Sequence, residues 1–192
     1  GVYGNILGFL GGINWAILVA FTVQRYPRKS TSEVLEGFFD IWSRWEWPNP
    51  VLLGPVRQGR PDGWLCGNVW NPIHNRRDGA QVCPILTPVY PAMNSSYNVG
   101  RSQLRRMRYE FERGRMVVKD IINGKEGWGK LFEEDGGFWR RFQAYVRVII
   151  RWGTEGDGEG WFRFVESRLR VLVAGIEGNE GGIEVHPWGN IF

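Results

Sequence analysis

Residues 1–24 carry no charged side chain, and that single property limits what this chain can become. A run of this length can cross a bilayer, and Gly4, Gly8 and Gly12 recur at the spacing of a transmembrane packing face. The opposite reading is a glycine-rich surface that lets a nucleotide approach the backbone closely. Polar Asn5, Asn14, Thr22 and Gln24 lie inside the run, and Tyr3 and Trp15 sit in its interior rather than at interfacial belts. No basic cluster precedes the run, so the n-region of a signal peptide is missing, and no initiator Met marks a native start. A helix buried on most sides is therefore expected here, with no membrane partner. No later stretch is a candidate span.

A chain of 192 residues has room for one or two domains with a real core. The formal charge is only +4, but the bases are mostly Arg and they cluster. Cys66 and Cys83 match no metal-binding spacing and could form one disulfide; so few cysteines point to a reduced, intracellular protein. Asn94-Ser95-Ser96 is a glycosylation sequon only in a secreted chain.

Periodicity orders the rest. Ser30, Thr31, Ser32 and Glu33 form a helix start, and Val34, Leu35, Phe38, Phe39, Ile41 and Trp42 recur at helical spacing to about Arg44. Trp47-Pro48 ends that helix, because the residue before proline is pushed out of the helical region. Residues 54–98 are dense in Pro, Gly and Asn and predict irregular surface structure, with an extended, packed path over 84–91. A basic helix is expected over 102–115. Leu104, Met107, Phe111 and Arg108 would form one flank, and Arg101, Arg105, Arg106 and Arg113 the remainder. A short helix should hold Trp128, Leu131 and Phe132, the last two buried.

Composition changes at Asp135-Gly136-Gly137, which divides the chain into residues 1–135 and 136–192. Over 138–152, Phe142, Ala144, Val146, Val148, Ile150 and Trp152 alternate with Arg141, Gln143, Tyr145, Arg147 and Arg151, the pattern of a strand with a basic, aromatic outer face. A helix follows with Trp161, Val165, Leu169, Leu172, Val173 and Ile176 as its apolar stripe, then a second strand over 182–186. The fold class is thus mainly α with an α+β C-terminal part: a helical domain, then a truncated strand–helix–strand unit.

No complete catalytic constellation is present. Gly124 to Lys130 fits the opening positions of a phosphate-binding loop, but Leu131 stands where a magnesium-binding hydroxyl is required. Asp157 with Glu159, and the run Glu133-Glu134-Asp135, lie in loops rather than at buried strand ends, where metal ligands are held rigidly. His74 and His186 are far apart, and no Ser or Cys nucleophile has an evident partner. The arginines carry more: Arg forks phosphate bidentately, and a sheet face mixing Arg with Tyr suits RNA. Arg141, Tyr145, Arg147 and Arg151 are accordingly the candidates for upstream RNA.

Eight segments, taken in order, resemble the eukaryotic nuclear poly(A) polymerases. They are residues 2–12; 45–53; Trp70-Asn71-Pro72; 84–91; 94–99; Glu110-Phe111 with Gly114; Trp128 with Leu131-Phe132-Glu133; and 165–173. The resemblance covers that family's helical central domain and the start of its RRM-like RNA-binding domain. It implies addition of adenylates from ATP to RNA 3′ ends without a template, in the nucleus, beside cleavage and polyadenylation factors. Divalent Mg or Mn would be held by carboxylates of a nucleotidyltransferase domain expected ahead of Gly1. No Gly-Ser loop followed by an Asp-x-Asp pair occurs in this chain, so alone it is expected to be inactive. By residue matching, Tyr3 would meet the ATP phosphates, Asn5 would read adenine, and Gly12 and Ile13 would border the base pocket. Thr87 and Met93 would lie near the RNA 3′ end. The other reading is a non-catalytic RNA-binding or scaffold protein of the same architecture.

Overall fold

A computed structural model describes residues 2–56, 69–133, 141–153, 158–179 and 183–188. The boundary expected at 135, Cys66, and most of the Gly- and Arg-rich stretch before Trp70 lie outside the described residues. The helices are α1 (Gly12–Arg25), α2 (Thr31–Arg44), the single turn α3 (Arg76–Gly79), α4 (Arg101–Ile122) and α5 (Gly158–Asn179). Two 3-10 turns, Asn5–Leu7 and Trp128–Phe132, complete the order among the described residues.

Local chemistry accounts for these bounds. Ser30 and Glu33 close a reciprocal capping box: the Glu33 N–H donates to Ser30 Oγ (3.4 Å) and the Ser30 N–H to Glu33 Oε2 (2.8 Å). Lys29, 2.7 Å from Glu33, together with these Ser30 bonds holds that carboxyl down at about 2. Helix α4 runs past the expected stop at 115 because Val118, one turn beyond Gly114, is again buried.

The core forms where α1, α2 and α4 meet. Trp42 is fully buried, with Phe21 and Trp45 at ring-centroid distances of 5.2 and 5.1 Å. Its indole N–H donates to Thr22 Oγ1 (3.3 Å), and the Thr22 hydroxyl donates to the Leu18 carbonyl (2.9 Å), so both polar groups are satisfied without water. Phe38, Phe111 and Trp15 extend this aromatic cluster. Side chains of this size contribute about 1.5–3 kcal/mol each on full burial. They supply most of the reason that helices with modest intrinsic propensity hold together.

Segment 83–96 packs beneath α1. Ile85 pairs in parallel with Val51, and Leu86 in antiparallel with Asn94, the two isolated bridges among the described residues. A buried polar lattice replaces a sheet there. The Ile85 N–H is shared between Asn94 Oδ1 (3.0 Å) and Ser96 Oγ (3.2 Å), while the single Ser96 hydroxyl proton has Asn94 Oδ1 (2.8 Å) and the Cys83 carbonyl within reach as acceptors. Burial pushes the Cys83 thiol well above its ordinary range.

Several expectations are corrected. Helix α1 buries one face only: Asn14, Ile17, Leu18, Phe21 and Thr22 point inward, and Ile13, Val19 and Val23 are exposed. Among the described residues, 142–153 and 183–188 form no strand, and Val146, Val148 and Trp152 are as exposed as the arginines between them. Alternation places side chains on two faces, but a strand also needs a hydrogen-bonded neighbour, and among the described residues none pairs with these. Phe132 is 78% exposed rather than buried. On α5, Val173 is buried and Leu169 packs on the core, while Trp161 and Leu172 face outward. Finally, Arg106 is buried and Arg108 exposed, the reverse of their expected flanks.

Candidate nucleotide and RNA interface

The turn before α1 is built around two close approaches. Gly8 adopts φ +83°, a conformation that favours glycine, and its N–H closes the turn on the Asn5 carbonyl at 2.9 Å. The Leu7 carbonyl accepts from Gln103 Nε2 (3.3 Å), a buried side chain of α4. This fixes Asn5, half-buried, directly before the start of α1. Asn5 Oδ1 accepts from Asn98 Nδ2 at 2.8 Å.

At the start of α1, Asn14 is fully buried and bridges two segments. Its Oδ1 accepts the Gly11 N–H (2.7 Å), satisfying a helix-end donor, and its Nδ2 donates to Ser95 Oγ (2.6 Å) across 81 residues of sequence. Ser95 in turn donates to the Ile85 carbonyl (2.8 Å). Next to this strut, Thr87 and Met93 pair: the Thr87 N–H donates to the Met93 carbonyl (2.9 Å) and the Met93 N–H to Thr87 Oγ1 (3.1 Å). Met93 and Ile13 are both exposed, at 55% and 56%. Gly12 is open, with nothing near the position a Cβ would take. Asn98 thus holds the Asn5 turn, and Asn14 with Ser95 holds the start of α1 to the segment that follows the Thr87–Met93 pair. None of these three residues is given a site role by the sequence; Asn14, a polar residue inside an apolar run, is the available signal.

Tyr3 is half-buried rather than open. Its ring lies 5.8 Å from Phe9, 5.8 Å from His186 and 6.4 Å from Trp188. His186 also stacks on Phe142 (5.7 Å, 18°), and burial, reinforced by Arg106, holds its imidazole down at about 4.

The basic surface is smaller than the Arg count suggests. Arg106 and Arg113 share Glu110 (2.5 and 2.8 Å), Arg115 holds Glu112 (2.5 Å), and Arg105 meets Glu184 (3.1 Å). Arg141 sits 5.7 Å from the Tyr109 ring centroid, and Tyr145 lies edge-on to Phe142 at 6.4 Å. Arg101, Arg108, Arg147 and Arg151 are exposed and form no ion pair among the described residues. No described contact joins Arg147 or Arg151 to the Asn5 turn. Among the described residues, no group of three or more His, Cys, Asp or Glu side chains could hold a metal ion, and no helix is long and apolar enough to cross a membrane.

Residues 1–134 match the family model described as the poly(A) polymerase central domain, and residues 137–192 match the poly(A) polymerase predicted RNA binding domain. The poly(A) polymerase of Dictyostelium discoideum is 41% identical over 177 residues, covering 92% of this chain and 21% of that protein. Nuclear poly(A) polymerases 2 and 4 of Arabidopsis thaliana are each 40% identical over 193 residues, 100% of this chain and 24% and 25% of theirs. The chain thus spans a quarter or less of the length of these relatives.

Proposed function

The chain belongs to the poly(A) polymerase family, and on that premise we propose that it forms one wall of the ATP site and part of the RNA-binding surface of a template-independent RNA 3′-end adenylyltransferase. The observation that carries this reading is a set of two side-chain ties, Asn5 to Asn98 and Asn14 to Ser95, which hold the turn before α1 and the start of α1 to the same short segment. It supports a rigid floor on which an adenine and an RNA terminus meet, at a helix start left open by Gly12. In this reading Asn5 hydrogen-bonds the adenine edge, and Gly12 and Ile13 border its flat face. Tyr3 directs its hydroxyl toward the phosphates, and Thr87 and Met93 border the RNA 3′ end. Exposed Arg141, Tyr145, Arg147 and Arg151 then meet upstream phosphates and bases.

Residues 1–135 act here as the central domain and 136–192 as the beginning of an RRM-like RNA-binding domain. Among the described residues, no side-chain cluster fits a divalent Mg or Mn ion. The relatives named nuclear support a nuclear location, and cleavage and polyadenylation factors are the proposed protein partners.

The test is nucleotide preference in the whole polymerase chain that carries these residues. Asn5→Ala should raise the KM for ATP and reduce ATP-over-GTP selectivity by about tenfold, the value of one lost specific hydrogen bond. An unchanged ratio would assign Asn5 a purely structural role and overturn the reading.

A further inference from the structure

We propose that Asn98 sets the purine specificity of this site by fixing which end of the Asn5 amide faces the base. The inference rests on the reading of Asn5 given above. Asn98 meets the Asn5 turn twice. Its Nδ2 donates to Asn5 Oδ1 (2.8 Å), and its backbone carbonyl lies against Gly8, 3.2 Å from where a Cβ would stand. The neighbouring Val99 is buried and Gln103 clamps the Leu7 carbonyl, so neither partner is free to drift. Gly11 leaves room for the opposite end of the amide, since a Cβ there would be 3.2 Å from Asn5 Nδ2.

With Oδ1 committed to Asn98, Asn5 presents its NH2, which can only donate. Ring nitrogens N3 and N7 are acceptors in adenine and guanine alike, so a fixed donor cannot separate the two purines there. At N1 they differ: adenine offers a lone pair and guanine an N–H. An NH2 held toward N1 bonds adenine and meets guanine donor to donor, leaving both groups unsatisfied, which is the costly outcome. Asn98 is therefore a positioning residue that acts through Asn5.

In the whole polymerase chain, Asn98→Asp replaces the NH2 donor by an acceptor. Asn5 then turns its NH2 toward the new carboxylate and its Oδ1 toward the base. The ratio of kcat/KM for ATP over GTP should fall by about tenfold or more, with GTP use rising in absolute terms. Asn98→Ala releases the amide to turn either end to the base, so ATP selectivity should drop, with a smaller gain for GTP than in Asn98→Asp. Equilibrium competition of ATP against GTP is measured alongside, so that a slow but folded variant still reports. If Asn98→Asp fails to fold, Asn98→Ala decides. Wild-type ratios in the folded Asn98 variants, where Asn5→Ala does lower selectivity, would overturn this role for Asn98 alone. Wild-type ratios in Asn5→Ala as well would overturn the reading beneath it.

Discussion

Two glycines decide how closely α2 can lie against its neighbours. A Cβ on Gly114 of α4 would come closer than 3.0 Å to three atoms of the Phe39 ring, and one on Gly37 of α2 equally close to the Tyr26 ring. The ring edges are stiff, so the neighbours cannot yield cheaply. Gly114→Ala gains about 1 kcal/mol of helix propensity but incurs about 1–3 kcal/mol of overpacking, for a net loss of stability. Gly175 of α5 has open space around it, so Gly175→Ala should instead gain about 0.5–1 kcal/mol. Urea midpoints at constant m-value should move in opposite directions for the two variants. Movement in the same direction would mean that the Phe39 contact does not set the helix spacing. Sequence periodicity cannot disclose this requirement, because Phe39 is remote in sequence and a mid-helix glycine reads locally as a weakness. It marked Gly114 only through family resemblance. Asn98 escaped for the same reason: its partner is 93 residues away, and no local pattern pairs two asparagines.

At the level of elements, α4 is capped by another helix. Gly100 at its N-cap has no side chain to accept an amide, and the Ser102 N–H instead donates to Glu177 Oε1 of α5 (3.0 Å). A carboxylate there also meets the positive end of the α4 dipole. Ser102 Oγ accepts the Val185 N–H (3.0 Å), so one residue of α4 anchors both α5 and segment 183–188. Glu177→Ala should cost about 1 kcal/mol, the usual value of a lost cap. It should also speed hydrogen exchange at the Ser102 amide, with little change in the amides near Trp42. Unaltered exchange at Ser102 would show the cap to be idle. Elements governed by nearest neighbours were legible beforehand: the Ser30–Glu33 capping box, the α2 stop before Trp47-Pro48, and the α5 stripe through Leu169 and Val173. The strands expected over 138–152 and 182–186 were not. Their pattern specifies two faces, whereas a ladder depends on a partner that alternation does not encode.

Over the whole molecule, the two ends of the chain meet around one imidazole. His186 lies 5.8 Å from the Tyr3 and Phe9 ring centroids and 5.7 Å from that of Phe142, with Arg106 close enough to disfavour a second positive charge. Its pKa is therefore lowered from 6.5 to about 4 in the folded chain. Between those values the unfolded chain binds a proton that the folded chain refuses, so the stability from this contact is fully present above about pH 6.5 and is lost as pH falls toward about 4. Partial exposure of the ring moderates the size of the loss without changing its sign. Melting temperatures followed from about pH 7 to about pH 4 should fall more steeply for the native sequence than for His186→Gln, which has no proton to gain. Carboxylates titrate in both proteins and cancel in the difference. Tyr3 is the residue proposed to meet the ATP phosphates, so loosening His186 also changes access to it. In the acid range the native chain should thus lose the ring contacts at Tyr3 before the Trp42 core melts, seen as an earlier change in Tyr3 aromatic proton shifts. Simultaneous loss at both places, or parallel melting curves for the two proteins, would mean that His186 does not hold segment 183–188 against the N-terminal turn.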